Sequence, residues 1–255
     1  MKLDNIIKIL AILLVLLTCI ISVSSLRNTI EATENINKEN FVNISIIGYS
    51  EIDPCDSIDI DTESCFFLEE RIDLFENTAS GLVINTSDQG SRIITAHHFC
   101  SSFLDPGIDT KLISDIGLVL ELVVIDIYSN RFHGKIEKFN AESDLCLIKI
   151  EEKVAGTKNI KFKRNDPEIG DKVNVIASPL SMSKNGILLT FEGIFSGCNM
   201  KGSCFYTIPA TGGSSGSIVF DKRGNAIGMI QAVPVDFQSV SIGVNSSTII
   251  SFLNS

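Results

Sequence analysis

The sequence has no cluster of Lys and Arg, no internal repeat, no low-complexity tract and no Cys-x-x-Cys pair. Lys and Arg number 21 against 31 Asp and Glu, and the formal net charge is −10. That balance argues against a sequence-independent grip on nucleic acid, which needs clustered basic side chains to neutralise phosphates. Lack of self-similarity at solenoid or propeller spacing argues against a repeat architecture. Without Cys-x-x-Cys or a tight Cys/His group, no zinc site is expected. The run Asp56, Asp59, Asp61 and Glu63 lacks the central Gly and flanking helices of an EF-hand, and reads as a solvated loop. No metal and no organic cofactor is expected. Helix signals are scarce beyond the N-terminus: only a short stretch ending near Leu253, capped by Ser246 or Ser247, reads as helical.

What is present begins with the N-terminus. Lys2 and Lys8 precede an apolar run over 9–23, broken only by Thr18, Cys19 and Ser22. It reads as a secretory leader with small residues at Ser22-Val23-Ser24, or as a retained anchor, since about 18 residues nearly cross a bilayer. Leu16-Leu17-Thr18-Cys19 fits a lipoprotein box poorly because Thr precedes the Cys. Residues 1–25 are thus a leader or membrane anchor, and the rest is expected to be exported: membrane-anchored, periplasmic or extracellular. Export gives meaning to Cys55, Cys65, Cys100, Cys146, Cys198 and Cys204, an even set suited to disulfides. Short spacing favours Cys55–Cys65 and Cys198–Cys204 as local closures.

Residues 26–65 read as a polar, acidic lead-in, with a strand expected over 41–49. From residue 66 onward the chain consists of short runs rich in Val, Ile and Phe, separated by turn chemistry. Runs at 82–84, 92–95, 118–127, 132–139 and 145–150 form one set; 151–163 is a Lys-rich connector. A second set spans 172–177, 186–195, 204–208, 217–220, 226–233 and 240–244, with a hairpin turn at 221–225. Many short strands with little helix favour a sandwich or barrel, and two sets joined by a connector favour two barrels.

Three local contexts carry chemistry. Ile93-Ile94-Thr95-Ala96-His97-His98 ends an apolar strand in small residues and then His. Ser143-Asp144-Leu145-Cys146-Leu147 opens a strand with Asp. Gly212-Gly213-Ser214-Ser215-Gly216-Ser217 precedes a strand, a turn and another strand. A Ser hydroxyl is a weak nucleophile and needs a base within hydrogen-bond reach. That base is best a His, whose tautomer a carboxylate fixes. A developing oxyanion needs two backbone N–H donors in one tight turn, which flanking Gly residues permit. Alone, each context is commonplace; together and in this order they point to His98, Asp144 and Ser215 as a catalytic triad. The N–H groups of Gly213 and Ser215 are the expected oxyanion donors.

These motifs resemble the trypsin-like peptidases of the chymotrypsin superfamily, most of all the HtrA-type branch. Thr95-Ala96-His97-His98 is similar to that family's Thr-Ala-x-His, and Ser143 to Ile150 to its Asp-Leu-Ala-Leu-Leu-Lys-like strand. Gly213-Ser214-Ser215-Gly216-Ser217 resembles Gly-x-Ser-Gly-Gly, with Ser217 in the last place. Ile169-Gly170-Asp171-Lys172-Val173, Ser178-Pro179-Leu180 and Ser241-Ile242-Gly243-Val244 add agreement, so that the likeness covers about 75–253. The resemblance implies an all-β fold of two six-stranded antiparallel barrels, about 66–158 and 159–255, with a short C-terminal helix and the active site in the cleft between them. It assigns the catalytic role to His98 rather than His97 and to Ser215 rather than Ser214. His133 is expected on the surface, and Asp126 lacks the context of Asp144.

Departures narrow the expectation. Digestive members carry Asp just before the nucleophile, paired with a newly cut N-terminus; here Ser214 stands there and no Ile-Val-Gly-Gly-like activation sequence precedes the barrel. Activity is therefore expected without insertion of a cleaved N-terminus. Pro209 stands where trypsin proper has its acid, and with Ala210, Met229, Ile230 and Gln231 it is expected to shape a pocket for a small or apolar side chain. The HtrA-type PDZ domain is not found before Ser255, so PDZ-based assembly is not expected. The expected partner is a polypeptide substrate, with membrane contact only through an uncleaved N-terminal segment. The alternatives are an inactive protease-like binding module and an α/β-hydrolase esterase; the latter is disfavoured by the His, Asp, Ser order and the hairpin after Ser215.

Overall fold

The structure, a computed structural model, describes residues 36–50, 72–104, 117–183, 187–234 and 236–255. The leader or anchor expected at 1–25, and Cys55 and Cys65, lie outside the described residues. Among the described residues, no helix is long and apolar enough to cross a membrane.

Strands β1 (Phe41–Ser50), β2 (Ile72–Ser87), β3 (Gly90–Ala96), β4 (Leu118–Asp126), β5 (Arg131–His133), β6 (Lys135–Asn140) and β7 (Leu145–Ile150) form one antiparallel sheet in the order β5-β4-β1-β2-β3-β7-β6. Helix α1 (His97–Leu104) follows β3 directly. Strands β8 (Lys172–Ala177), β9 (Leu189–Cys198), β10 (Ser203–Tyr206), β11 (Ile218–Asp221), β12 (Ala226–Ala232) and β13 (Ser241–Asn245) form a closed barrel in the order β10-β13-β12-β11-β8-β9. Helix α2 (Ser246–Asn254) ends the chain. Its cap is Asn245, not Ser246 or Ser247: the Asn245 side chain accepts from the N–H of Thr248, three residues on, at 3.1 Å, and Ser246 is already the first helical residue.

The second barrel has the six strands expected. The first sheet does not: among the described residues it has seven strands, and no ladder joins its outer strands β5 and β6. The cause lies at Gly134. The chain pairs with β4 through His133 and with β7 from Lys135, and Gly134 N–H donates to Leu122 O at 2.8 Å. A Cβ at Gly134 would stand 3.0 Å from Ile148 and 3.1 Å from Leu122, so a residue without a side chain stands where the expected single strand divides and passes from one neighbour to the other. The two edges of the sheet are thus consecutive in the chain.

Strand β1, within the segment expected as a lead-in, lies between β2 and β4, and its first eight residues are buried on both faces. Apolar clusters fill each sheet: Val42, Ile44, Val83, Ile93 and Ile148 in the first, and Val173, Val175, Tyr206 and Ile227 in the second. A third cluster joins the sheets, with Ile94, Ala96 and Leu145 from one and Ile218, Met229 and Val244 from the other. Each such fully buried Leu, Ile or Met side chain stabilises by about 1.5–3 kcal/mol relative to exposure. This seam holds the ends of β3 and the start of β7 against β11 and β12, and the chemistry-bearing residues stand at its rim. Helix α2 packs on the same seam through Ile249 and Phe252, and Lys138 Nζ donates to Phe252 O at 2.6 Å, near the helix C-terminus where carbonyls lack partners.

Candidate active site

The register of β3 on β7 decides the first contact. Thr95 faces Cys146 and Ala96 faces Leu145, so the next antiparallel pair is His97 with Asp144. His97 N–H donates to Asp144 O at 3.2 Å. One residue further, at the second position of α1, His98 N–H donates to Asp144 Oδ1 at 2.8 Å, and His98 Nδ1 lies 2.9 Å from Asp144 Oδ2. The carboxylate has no proton to give, so Nδ1 carries the hydrogen and Nε2 is left as an acceptor. Half of the His98 side chain is exposed, at 51%, against 26% for Asp144. An ion pair so open to water contributes little stability; its consequence is orientation. Asp144 itself has φ +50°, a left-handed conformation uncommon outside Gly.

Ser215 lies between β10 and β11, pressed against the first sheet. Its carbonyl accepts from Ser80 N–H at 2.9 Å, and Gly216 N–H donates to Ile230 O at 2.8 Å. A Cβ at Gly216 would fall 2.1 Å from Ser80 O and 2.3 Å from Thr95 Oγ1, and φ there is +88°. Only Gly allows this approach to Thr95, three residues before His98. Ser215 Oγ donates to Gln231 O at 3.2 Å, while Gln231 Nε2 donates to Ser143 O at 2.6 Å and Asp144 O at 3.0 Å. The structure therefore joins His98 and Asp144 directly and ties Ser215 to the Asp144 turn through Gln231. Among the described residues no hydrogen bond joins Ser215 to His98.

The preceding turn is locked by other contacts. Ser214 N–H donates to Thr211 O at 2.9 Å, and φ at Gly213 is +88°, as a type II turn requires at its third residue. Gly212 O accepts from Leu180 N–H at 2.8 Å, and Gly213 O from Ser80 Oγ at 2.8 Å. Because C=O and N–H point oppositely across a trans peptide, the Leu180 contact turns Gly213 N–H away from 179–181. Ser214, Gly216 and Ser217 all donate to protein carbonyls; Gly213 and Ser215 have no acceptor among the described residues. Two unpaired N–H groups flank one hydroxyl, the arrangement a developing oxyanion needs.

The trypsin-like peptidase domain model matches residues 79–229, more than half of the chain and inclusive of all three motifs. The chain belongs to the trypsin-like peptidase family. The serine endoprotease from Yersinia pestis has a similar crystal structure, with a TM-score of 0.58 and 16% identity over 88% of this chain. This chain spans 64% of that one. No curated protein sequence matches this chain.

The remaining expected residues divide. Ala210 and Ile230 pack in the second barrel's core, and Ala210 N–H donates to Gln238 O at 3.2 Å. Met229 is fully buried in the seam between the sheets, and Pro209 precedes Ala210 in the same loop. Gln231 lines a cavity of about 410 Å³ with Ser143, Lys201, Gly243 and Phe252, beside the Asp144 turn. His97 stacks on Phe139 with ring centroids 4.8 Å apart, and His133 pairs with Glu121 at the surface. Asp126 accepts from Tyr128 and Asn130 N–H groups and caps the turn after β4.

Two disulfides are present among the described residues. Cys198–Cys204 is the expected local closure. Cys100–Cys146 was one open possibility among many and joins α1 to β7. Sequence reasoning missed Ser80, whose Oγ both donates to Gly213 O and accepts from Ser178 N–H. A Ser inside a strand carries no local mark of such a role.

Proposed function

We propose that the protein is a serine endopeptidase acting through His98, Asp144 and Ser215. His98 Nε2 takes the Ser215 proton as Oγ attacks the scissile carbonyl, and Asp144 holds the imidazole and stabilises the imidazolium. The N–H groups of Gly213 and Ser215 receive the oxyanion. Collapse of the tetrahedral species passes the proton from His98 to the leaving amine and leaves an acyl-enzyme. Water, deprotonated by the same His98, then releases the acid and restores Ser215. The observation that carries this assignment is the two-pronged Asp144–His98 contact beside a hydroxyl flanked by two unpaired N–H groups.

Ser214 supports activity without a newly cut N-terminus. It is buried, and its Oγ accepts from Thr211 N–H at 3.3 Å, so the turn closes on itself where digestive relatives use an ion pair. The substrate is a polypeptide, and the lack of an acid at Pro209 and Ala210 supports a small or apolar residue before the scissile bond. The apolar run at 9–23 supports export, with the enzyme either released or held at a membrane.

A fluorophosphonate probe on membrane and soluble fractions tests the assignment. Wild type is labelled and Ser215→Ala is not; equal labelling of both would refute Ser215 as the nucleophile, and an unlabelled, folded wild type would favour an inactive binding module.

A further inference from the structure

We infer that Gln231 is a positioning residue that fixes Asp144 for His98, an inference that rests on the proposed triad. Four observations converge on this one side chain. First, Gln231 is the extra residue of a β-bulge: Ile230 pairs with Gly243 and Ala232 with Ile242, leaving Gln231 without a partner on β13. Bulges bend a strand and re-aim a side chain, and they concentrate near active sites. Second, the re-aimed carboxamide reaches across the seam to the first sheet, where its Nε2 donates to two successive carbonyls, Ser143 O and Asp144 O.

Third, the backbone it grips is strained. Asp144 is a non-Gly residue at φ +50°, a conformation that persists only where the surroundings over-determine it. Asp144 O accepts from both His97 N–H and Gln231 Nε2, and among the described residues Gln231 alone ties the turn to the second barrel, while Asp144 N–H to Ala141 O and Ser143 N–H to Asn140 Oδ1 close it locally. This left-handed turn is what points one carboxylate oxygen at His98 N and the other at Nδ1. Fourth, the backbone carbonyl of Gln231, freed by the bulge, accepts from Ser215 Oγ. One residue thus orients the acid through its side chain and holds the nucleophile through its main chain. Gln231 touches no reacting atom through its carboxamide, so its effect is exerted through Asp144.

Gln231→Met keeps length and bulk and removes both donors. Because small misplacements of a catalytic group cost about 10²-fold, kcat should fall by about that factor with KM within about threefold. The thermal midpoint should stay near that of wild type. The low-field proton NMR signal of the His98 Nδ1–H bonded to Asp144 should disappear in Gln231→Met and persist in Ser215→Ala, a change that a merely structural role would not produce. Should Gln231→Met not fold, Gln231→Glu keeps the shape but sets an acceptor against two carbonyls, and the same losses are expected. A folded variant with kcat within about threefold of wild type, or a loss that follows KM or the thermal midpoint while the proton signal persists, overturns the inference. If Ser215→Ala still reacts with the fluorophosphonate probe, the triad itself has failed; if only the Gln231 variants behave as wild type, the triad stands and this inference alone falls.

Discussion

Cys100 and Cys146 are bonded to each other, and each lies two residues beyond a member of the proposed triad, His98 and Asp144. The bridge fastens the first turn of α1 to the start of β7, the two segments whose relative position sets the His98–Asp144 contact. Both sulfurs are fully buried. The Cys198–Cys204 bridge, by contrast, spans only a hairpin between β9 and β10.

The two bridges should therefore differ in both stability and activity. Closing a loop of 46 residues removes about 4 kcal/mol of chain entropy from the unfolded state, and one of 6 residues about 2 kcal/mol. Replacing Cys100 and Cys146 by Ala should lower the thermal midpoint by about 10 °C, roughly twice the effect of replacing Cys198 and Cys204. Peptidase activity, measured well below the melting range, should fall in the first double variant and hold in the second. Equal activities would show that the bridge near the triad contributes stability only.

Asp144→Asn should leave the fold intact and abolish most of the activity. The Asn oxygen can still accept from His98 N–H, the bond now made at 2.8 Å. Its amide nitrogen then faces His98 Nδ1, which must become the acceptor, and the proton moves to Nε2. An imidazole protonated at Nε2 cannot take the Ser215 proton, and the corresponding change in the type-case triad costs about 10⁴-fold in kcat. A loss of less than about tenfold, with circular dichroism unchanged, would remove Asp144 from the mechanism.

What could be seen in the chain before folding was the part written in short windows. Runs such as Leu145–Ile150 and Ala226–Ala232 identify themselves as strands because β-branched and long apolar residues suit a buried pleat. The His98–Asp144 contact was legible because each residue sits at the end or start of such a run. Gly213 and Gly216 marked backbone that needs φ above zero. Long-range register left no such mark. Nothing around Gly134 shows that Leu122 and Ile148 will crowd it from both sides, so the first sheet was expected with six strands. The strand at 41–50 was visible, but not its place between β2 and β4. Gln231 was expected to shape a pocket, and only the bulge shows where its amide goes.

The hairpin turn before β12 supplies a pH-dependent contribution to stability that is independent of the proposed triad. Asp221 is largely buried, which by itself would raise its carboxyl pKa. That effect is outweighed by the Asn225 side-chain amide, donating at 3.1 and 3.0 Å, by the N–H groups of Asn225 and Arg223 at 3.0 and 2.9 Å, and by Lys163 at 3.7 Å. The net result holds the carboxyl below the ordinary value of 3.8. A carboxyl whose pKa is lower folded than unfolded stabilises the protein above its unfolded value, and that stabilisation is lost as pH falls through the folded one. Urea midpoints of wild type should therefore decline between about pH 5 and pH 2, and Asp221→Asn should start lower at neutral pH and decline less. The two curves should approach each other at the acid end. Parallel curves over the whole range would mean that the Asp221 charge contributes nothing to folding and that the turn is held by Gly224 and its backbone bonds alone.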